Sequence, residues 1–212
     1  MKKFPVKKLV LLAVFAALSY VIVCTVRIPA VAFLKYEPKD VVITIAGFIL
    51  GPLASVIISA VVALLEMVTI SETGPIGALM NLLSSCAFSC TAAFIYKYRR
   101  TLLGAVGGLL CGTVAMVAVM LLWNWLITPL YMGVDRATVE GMLIPAFLPF
   151  NLLKAGLNSA LIIGLYKPLS SALRKVGLIE THAKSSKIGV YLFAGALLIT
   201  CILLLLVFQG KL

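Results

Sequence analysis

The residues best suited to chemistry are Asn151, Lys154 and Asn158, in the stretch Phe150-Asn151-Leu152-Leu153-Lys154-Ala155-Gly156-Leu157-Asn158. At about 100° of rotation per residue they share a roughly 60° stripe of one helical face. The residues around them are Leu, Ala, Gly and Phe. A lysine and two carboxamides in hydrocarbon are costly unless they face a protein interior, a cavity or a ligand. A lysine snorkelling to the headgroups, with asparagines bonding neighbouring helices, is the plainer reading. Snorkelling alone does not explain three polar groups on one stripe. Lysine offers three donors and no acceptor, whereas asparagine offers both. The stripe therefore predicts the polar wall of a site for a ligand rich in carbonyls, ring nitrogens and hydroxyls.

Other groupings are weaker. Trp123-Asn124-Trp125 with Pro129-Leu130-Tyr131-Met132-Gly133 places a carboxamide and large aromatics at the end of an apolar run. An interfacial aromatic belt accounts for them as well as a slot for a flat heterocycle does. Gly77, Asn81, Ser84 and Ser85 share a helical face; packing explains the small residues, and Asn81 is the one that could reach a ligand. Glu66, the only acid inside an apolar run, could pair with Lys154 or extend to the headgroups. Ala13 with Ala17, and Gly104 with Gly108 and Gly112, have helix-packing spacing, and the first pair could also dock a partner.

Cys24, Cys86, Cys90, Cys111 and Cys201 all lie within apolar runs and read as buried thiols, not as a disulfide frame or a metal site. Cys86 and Cys90 share a face, but the only histidine, His182, lies in a polar linker. Phosphate-binding, metalloprotease and nucleophile-elbow motifs are missing, as is a run of intramembrane acids. The chain is therefore not expected to be an enzyme, to hydrolyse ATP itself or to carry a proton relay.

The elements that must position these residues are membrane helices. Of 212 residues, 63% are hydrophobic and 12% charged, in continuous runs near bilayer length. Such runs exclude a β-barrel. The net charge of +11 gathers at the ends of the runs, so it reads as orientation in the membrane and not as nucleic-acid binding. The expected class is an all-α integral membrane protein, a six-helix bundle plus a seventh hydrophobic helix at the C-terminus. Residues 1–175 form the binding domain, 176–187 a cytoplasmic linker and 188–208 the extra helix.

The first span, 9–26, is too long for a secretory signal and reads as uncleaved. A loop, 27–39, follows. Residues 41–68 as one helix would extend about 42 Å, too long for a ~30 Å core, and Gly51-Pro52 divides them into two. Later spans are 76–96, 102–127 and 142–166, the last continuing toward Arg174-Lys175; 71–75 is a polar turn and 128–141 a loop. With the N-terminus in the cytoplasm, twelve basic residues lie inside against Arg27, Lys35, Lys39 and Arg136 outside, where Glu37, Asp40, Glu72, Asp135 and Glu140 also fall. The Asn151–Asn158 stripe then faces outward, beneath loops 27–39, 71–75 and 128–141.

Four motifs occur in a telling order: Phe33-Leu34-Lys35-Tyr36; Gly74-Pro75-Ile76-Gly77 leading to Met80-Asn81; Pro129-Leu130-Tyr131-Met132; and Pro149-Phe150-Asn151-Leu152-Leu153-Lys154. Over roughly residues 5–175 the chain resembles the riboflavin-specific S component (RibU type) of energy-coupling factor (ECF) vitamin transporters. The resemblance implies a six-helix protein of the cell membrane that binds riboflavin from outside as a transported ligand, with no cofactor. It implies ligand contacts at Leu34, Lys35, Tyr36, Asn124, Asn151 and Lys154, to which the residue patterns add Asn81, Tyr131 and Asn158. It also implies that Ala13 and Ala17 contact a transmembrane T subunit. The resemblance further implies two cytoplasmic ATPases in separate chains, which supply the energy while the S component topples. Residues 188–208 depart from the six-helix pattern, either as a seventh span or as a helix along the surface of the complex. Rival readings are an S component for another vitamin (thiamine or a pyridoxine-like ring), a self-sufficient ion-coupled carrier, and last a membrane enzyme.

Overall fold

Chain breakers and caps divide the apolar runs into helices. The computed structural model describes residues 6–31, 34–71, 73–175 and 188–209. Lys2, Lys3, Phe33, Glu72, His182, the linker 176–187 and Lys211 lie outside the described residues. Helix α1 (Val6–Thr25) leads into an antiparallel hairpin, β1 (Ile28–Val31) and β2 (Leu34–Tyr36), which pairs Ile28 with Tyr36 and Pro29 with Lys35. Helices α2 (Lys39–Leu50) and α3 (Pro52–Thr69) meet at Gly51. Gly51 has φ 99°, a conformation that side chains with a Cβ avoid, and Pro52 opens α3 where its missing N–H costs nothing.

Next come α4 (Gly74–Ser85), a π-helical turn at Cys86–Cys90 and α5 (Thr91–Tyr98), together one continuous rod. Helix α6 (Leu102–Met132) starts with the Thr101 side chain accepting from Gly104 N and ends at Gly133, φ 65°. Helix α7 (Arg136–Met142), capped by Asp135, runs through a second π turn, Leu143–Phe147, into α8 (Leu148–Lys175). Helix α9 (Ile188–Phe208) packs along α8.

Among the described residues, five helices are long and apolar enough to cross a membrane. Leu18, Leu64, Leu110, Leu122 and Leu152 on their outer faces are exposed, as surfaces toward lipid must be. The six-helix core with a further C-terminal helix is therefore present, with three differences from expectation. Helix α2 has only 12 residues, about 18 Å at 1.5 Å per residue, too short to cross alone. It is an inserted half-helix, nine of whose residues are buried. Residues 27–39, read as a loop, contain the hairpin. Residues 128–141, also read as a loop, are mostly helical, because α6 runs on through Pro129 and Asp135 restarts the chain as α7.

Three packed regions hold the bundle. Leu11, Leu12 and Phe15 of α1 pack on Ile43 and Ala46 of α2 and on Ile58 and Val62 of α3. A larger core joins Phe48, Phe88, Tyr96, Leu109, Met116 and Ile162. The third region seats the hairpin on α8 and α9. The α6 glycines let two backbones touch: a Cβ at Gly108 would stand 2.7 Å from Ala92 O, and one at Gly112 would stand 2.6 Å from Phe88 O. We therefore expect Gly112→Val to destabilise the protein by about 1–3 kcal/mol through overpacking, seen as a lowered midpoint of thermal unfolding in detergent, while Gly107→Val, which meets nothing within 4 Å, stays close to wild type.

Candidate binding site

At the hairpin end of the bundle lies a cavity of about 290 Å³, close to the lower limit of small-molecule sites at roughly 300 Å³. The hairpin and its flanks contribute Arg27, Leu34, Lys35 and Glu37. The α3–α4 corner contributes Glu66, Ile70, Ser71, Thr73, Met80, Asn81 and Ser84. Helix α6 supplies Met120, Asn124 and Tyr131, and the chain around the second π turn supplies Phe147, Phe150, Asn151 and Lys154.

The wall is built on buried charge. Lys154, 8% exposed, places Nζ 3.1 Å from Oδ2 of Asp40, which is wholly buried in the first turn of α2. Ser85 donates its hydroxyl to the other Asp40 oxygen. Thr44 donates to the Asp40 carbonyl at 2.7 Å and meets Ser89 at 2.8 Å. Successive residues of a helix point about 100° apart. Lys39 therefore turns away from α8 to α3, where it bonds to Glu66 and stands 3.4 Å from Glu37. Glu37 in turn holds Arg27 Nε at 3.2 Å, and Asn81 donates to the second Glu66 oxygen at 2.6 Å.

Asn151 donates to Phe147 O at 2.7 Å, which fixes the amide and leaves its oxygen available. Asn124 donates to Met120 O at 2.7 Å and accepts from Thr128 at 2.9 Å, leaving one N–H. Lining the same cavity are Met80, Met120, Tyr131, Phe147 and Phe150. Flat aromatic surfaces and pliable thioethers suit a planar heterocycle, while the amides and Lys154 suit its heteroatoms.

Of the residues expected from sequence, Leu34, Lys35, Asn81, Asn124, Tyr131, Asn151 and Lys154 line the cavity. Tyr36 and Asn158 do not; the Tyr36 hydroxyl donates to Asn158 Oδ1 at 2.9 Å behind the wall. Burial, then the nearby Asp40 carboxylate, push the Tyr36 phenol above its usual range, so it remains a donor. Glu66 pairs with Lys39 and not with Lys154, whose partner is Asp40. Neither tryptophan reaches the cavity. Trp125 donates to Glu140 at 2.8 Å beneath the Arg136 guanidinium, and Trp123 packs against the core.

The sequence reading missed the roles of Asp40, Lys39, Glu37 and Arg27, which it only counted among the charges on the outer side. The available signal was Lys154 itself, because a lysine among leucines needs an acid at contact distance.

Fold and cavity together define a multi-pass membrane protein built to enclose a small, hydrogen-bonding molecule. The sequence profile of the family described as "ECF transporter, substrate-specific component" matches residues 7–166, and the chain belongs to that family. It is 29% identical over 178 residues to the riboflavin transporter RibU of Staphylococcus aureus (strain TCH60), covering 80% of this chain and 94% of that protein. It is 28% identical over 160 residues to the riboflavin transporter FmnP of Bacillus subtilis (strain 168), covering 70% and 84%. A solved S component of a bacterial ECF transporter superposes with a TM-score of 0.67 at 28% identity, over 79% of this chain and 98% of that one.

Removing one member of a buried ion pair strands the other. Asp40→Ala should accordingly destabilise the ligand-free protein by about 3–5 kcal/mol. The double variant Asp40→Ala/Lys154→Met should recover most of that loss, because no charge is left behind. Denaturant unfolding of the purified protein compares the two.

Proposed function

We propose that this chain captures riboflavin at the outer face of the cell membrane, for ATP-driven uptake powered by a separate T subunit and two ATPases. The observation that carries the reading is that Asn151 and Lys154 share one cavity with Phe147, Phe150, Tyr131 and two methionines. The isoalloxazine ring system offers a flat face and an edge of carbonyls and nitrogens, and its ribityl chain offers hydroxyls. The relatives named as riboflavin transporters support the same ligand.

Binding here needs no covalent step. The charged side chains lining or backing the cavity are Arg27, Lys35, Lys39 and Lys154 against Glu37, Asp40 and Glu66, so the wall is nearly balanced. A neutral ligand can then be oriented by hydrogen bonds without importing a counter-charge. Leu34, Lys35, Asn81, Asn124, Tyr131, Asn151 and Lys154 are the proposed contacts. Residues 1–175 act as the binding domain, the N-terminus is cytoplasmic as the distribution of basic residues favours, and 176–187 link it to α9. Ala13 and Ala17 lie on the exposed face of α1, open to the T subunit.

Quenching of flavin fluorescence on titration into the purified protein tests the ligand. Saturable quenching is expected, displaced by neither thiamine nor pyridoxine; protein that carries no flavin and quenches none would overturn the proposal. Asn151→Ala should weaken binding about tenfold or more through the loss of a buried hydrogen-bonding group. In cells that supply the partner subunits, Ala13→Trp/Ala17→Trp should abolish riboflavin uptake and leave binding to the purified chain intact.

A further inference from the structure

The hairpin brings Leu34, Lys35 and Glu37 to the cavity, yet a two-stranded hairpin is marginally stable by itself. Two features behind the cavity hold it. Tyr36, 4% exposed, donates across 122 residues of sequence to Asn158, which is fully buried. Asn158 lies one helical turn beyond Lys154 on α8, so one face of that helix carries both the cavity wall and the hairpin's anchor.

Helix α9 supplies the second hold. Cys201 and Leu205 of α9 join Ala30 and Tyr36 of the hairpin and Leu153 and Leu157 of α8 in one buried apolar cluster. Just past the end of α9, Gln209 donates its amide to Pro29 O in β1. Helix α9 thus spans from the far end of α8 back to the hairpin, and it lies beyond the 7–166 region that defines the family.

We propose that α9 and the Tyr36–Asn158 bond form a latch that presses the ligand-contacting hairpin onto α8 and slows release of the bound molecule. Tyr36, Asn158, Leu205 and Gln209 act as positioning residues; none lines the cavity. The physical basis is preorganisation. A hairpin held in its closed position needs no ordering when the ligand arrives, and the ligand escapes only in the fraction of time that the latch is open. Weakening the latch raises that fraction, so its effect falls on the dissociation rate. The inference rests on the proposed function for its ligand, but the latch itself can be read without one.

The test uses the full chain in lipid nanodiscs, as wild type, Tyr36→Phe, Leu205→Ala and Gln209→Ala. Hydrogen exchange of residues 28–36 is measured without ligand, and stopped-flow fluorescence follows riboflavin binding and release. All three variants should lose exchange protection in the hairpin. Tyr36→Phe and Leu205→Ala should release riboflavin about tenfold faster, with association changed less than about twofold. Hairpin protection equal to wild type in all three variants would overturn the latch, and so would unchanged release from variants that bind. If wild-type protein binds no riboflavin, the functional reading fails, and exchange still decides whether the latch exists.

Discussion

Lys154 lies beneath the mouth of a membrane bundle, where an ammonium group needs an opposite charge within contact distance. Asp40 provides it, and much of the architecture follows from that demand. The acid must be fully buried, so α2 has to begin inside the protein and not at its surface. With α2 starting so deep, the chain leaving α1 has to turn back over the top, which the hairpin does. Lys39, carried inward beside Asp40, needs an acid of its own and finds Glu66 on α3. One pairing thus sets the depth of α2, the course of the hairpin and the partner on α3.

These pairs contribute little to net stability, because desolvating both charges offsets most of their attraction. Their consequence is geometric. A lysine tied to Asp40 and an asparagine tied to Phe147 O present their remaining hydrogen-bonding capacity in fixed directions. A ligand meeting such a wall does not have to freeze two mobile side chains, an ordering cost that would otherwise reduce its affinity.

The parts of the site that were legible in the sequence are those that violate the hydrocarbon rule. Asn151 and Lys154 stand out because leucines surround them, and Gly51-Pro52 stands out because glycine followed by proline ends one helix and opens another. Asp40 was illegible for the opposite reason. An acid in the first turn of a helix is ordinary, favoured by the helix dipole, and nothing local shows that the turn is buried. Tyr36 and Asn158 were expected to touch the ligand and instead bond to each other, because a contact between residues 122 apart cannot be seen in spacing. The hairpin was hidden because its strands are four and three residues long, too short for alternation to register.

Beneath the cavity, α2 is fastened on several sides. Thr44 meets Ser89, Ser55 donates to Ile43 O, and Phe48, Phe88 and Met116 fill the space below. Among the described residues, the cavity lined by Lys154 and Asn151 thus has a packed floor. Opening a passage through that floor would tear out the half-helix that carries Asp40, and with it the partner of Lys154. The scaffold is built as a cup and not as a pipe.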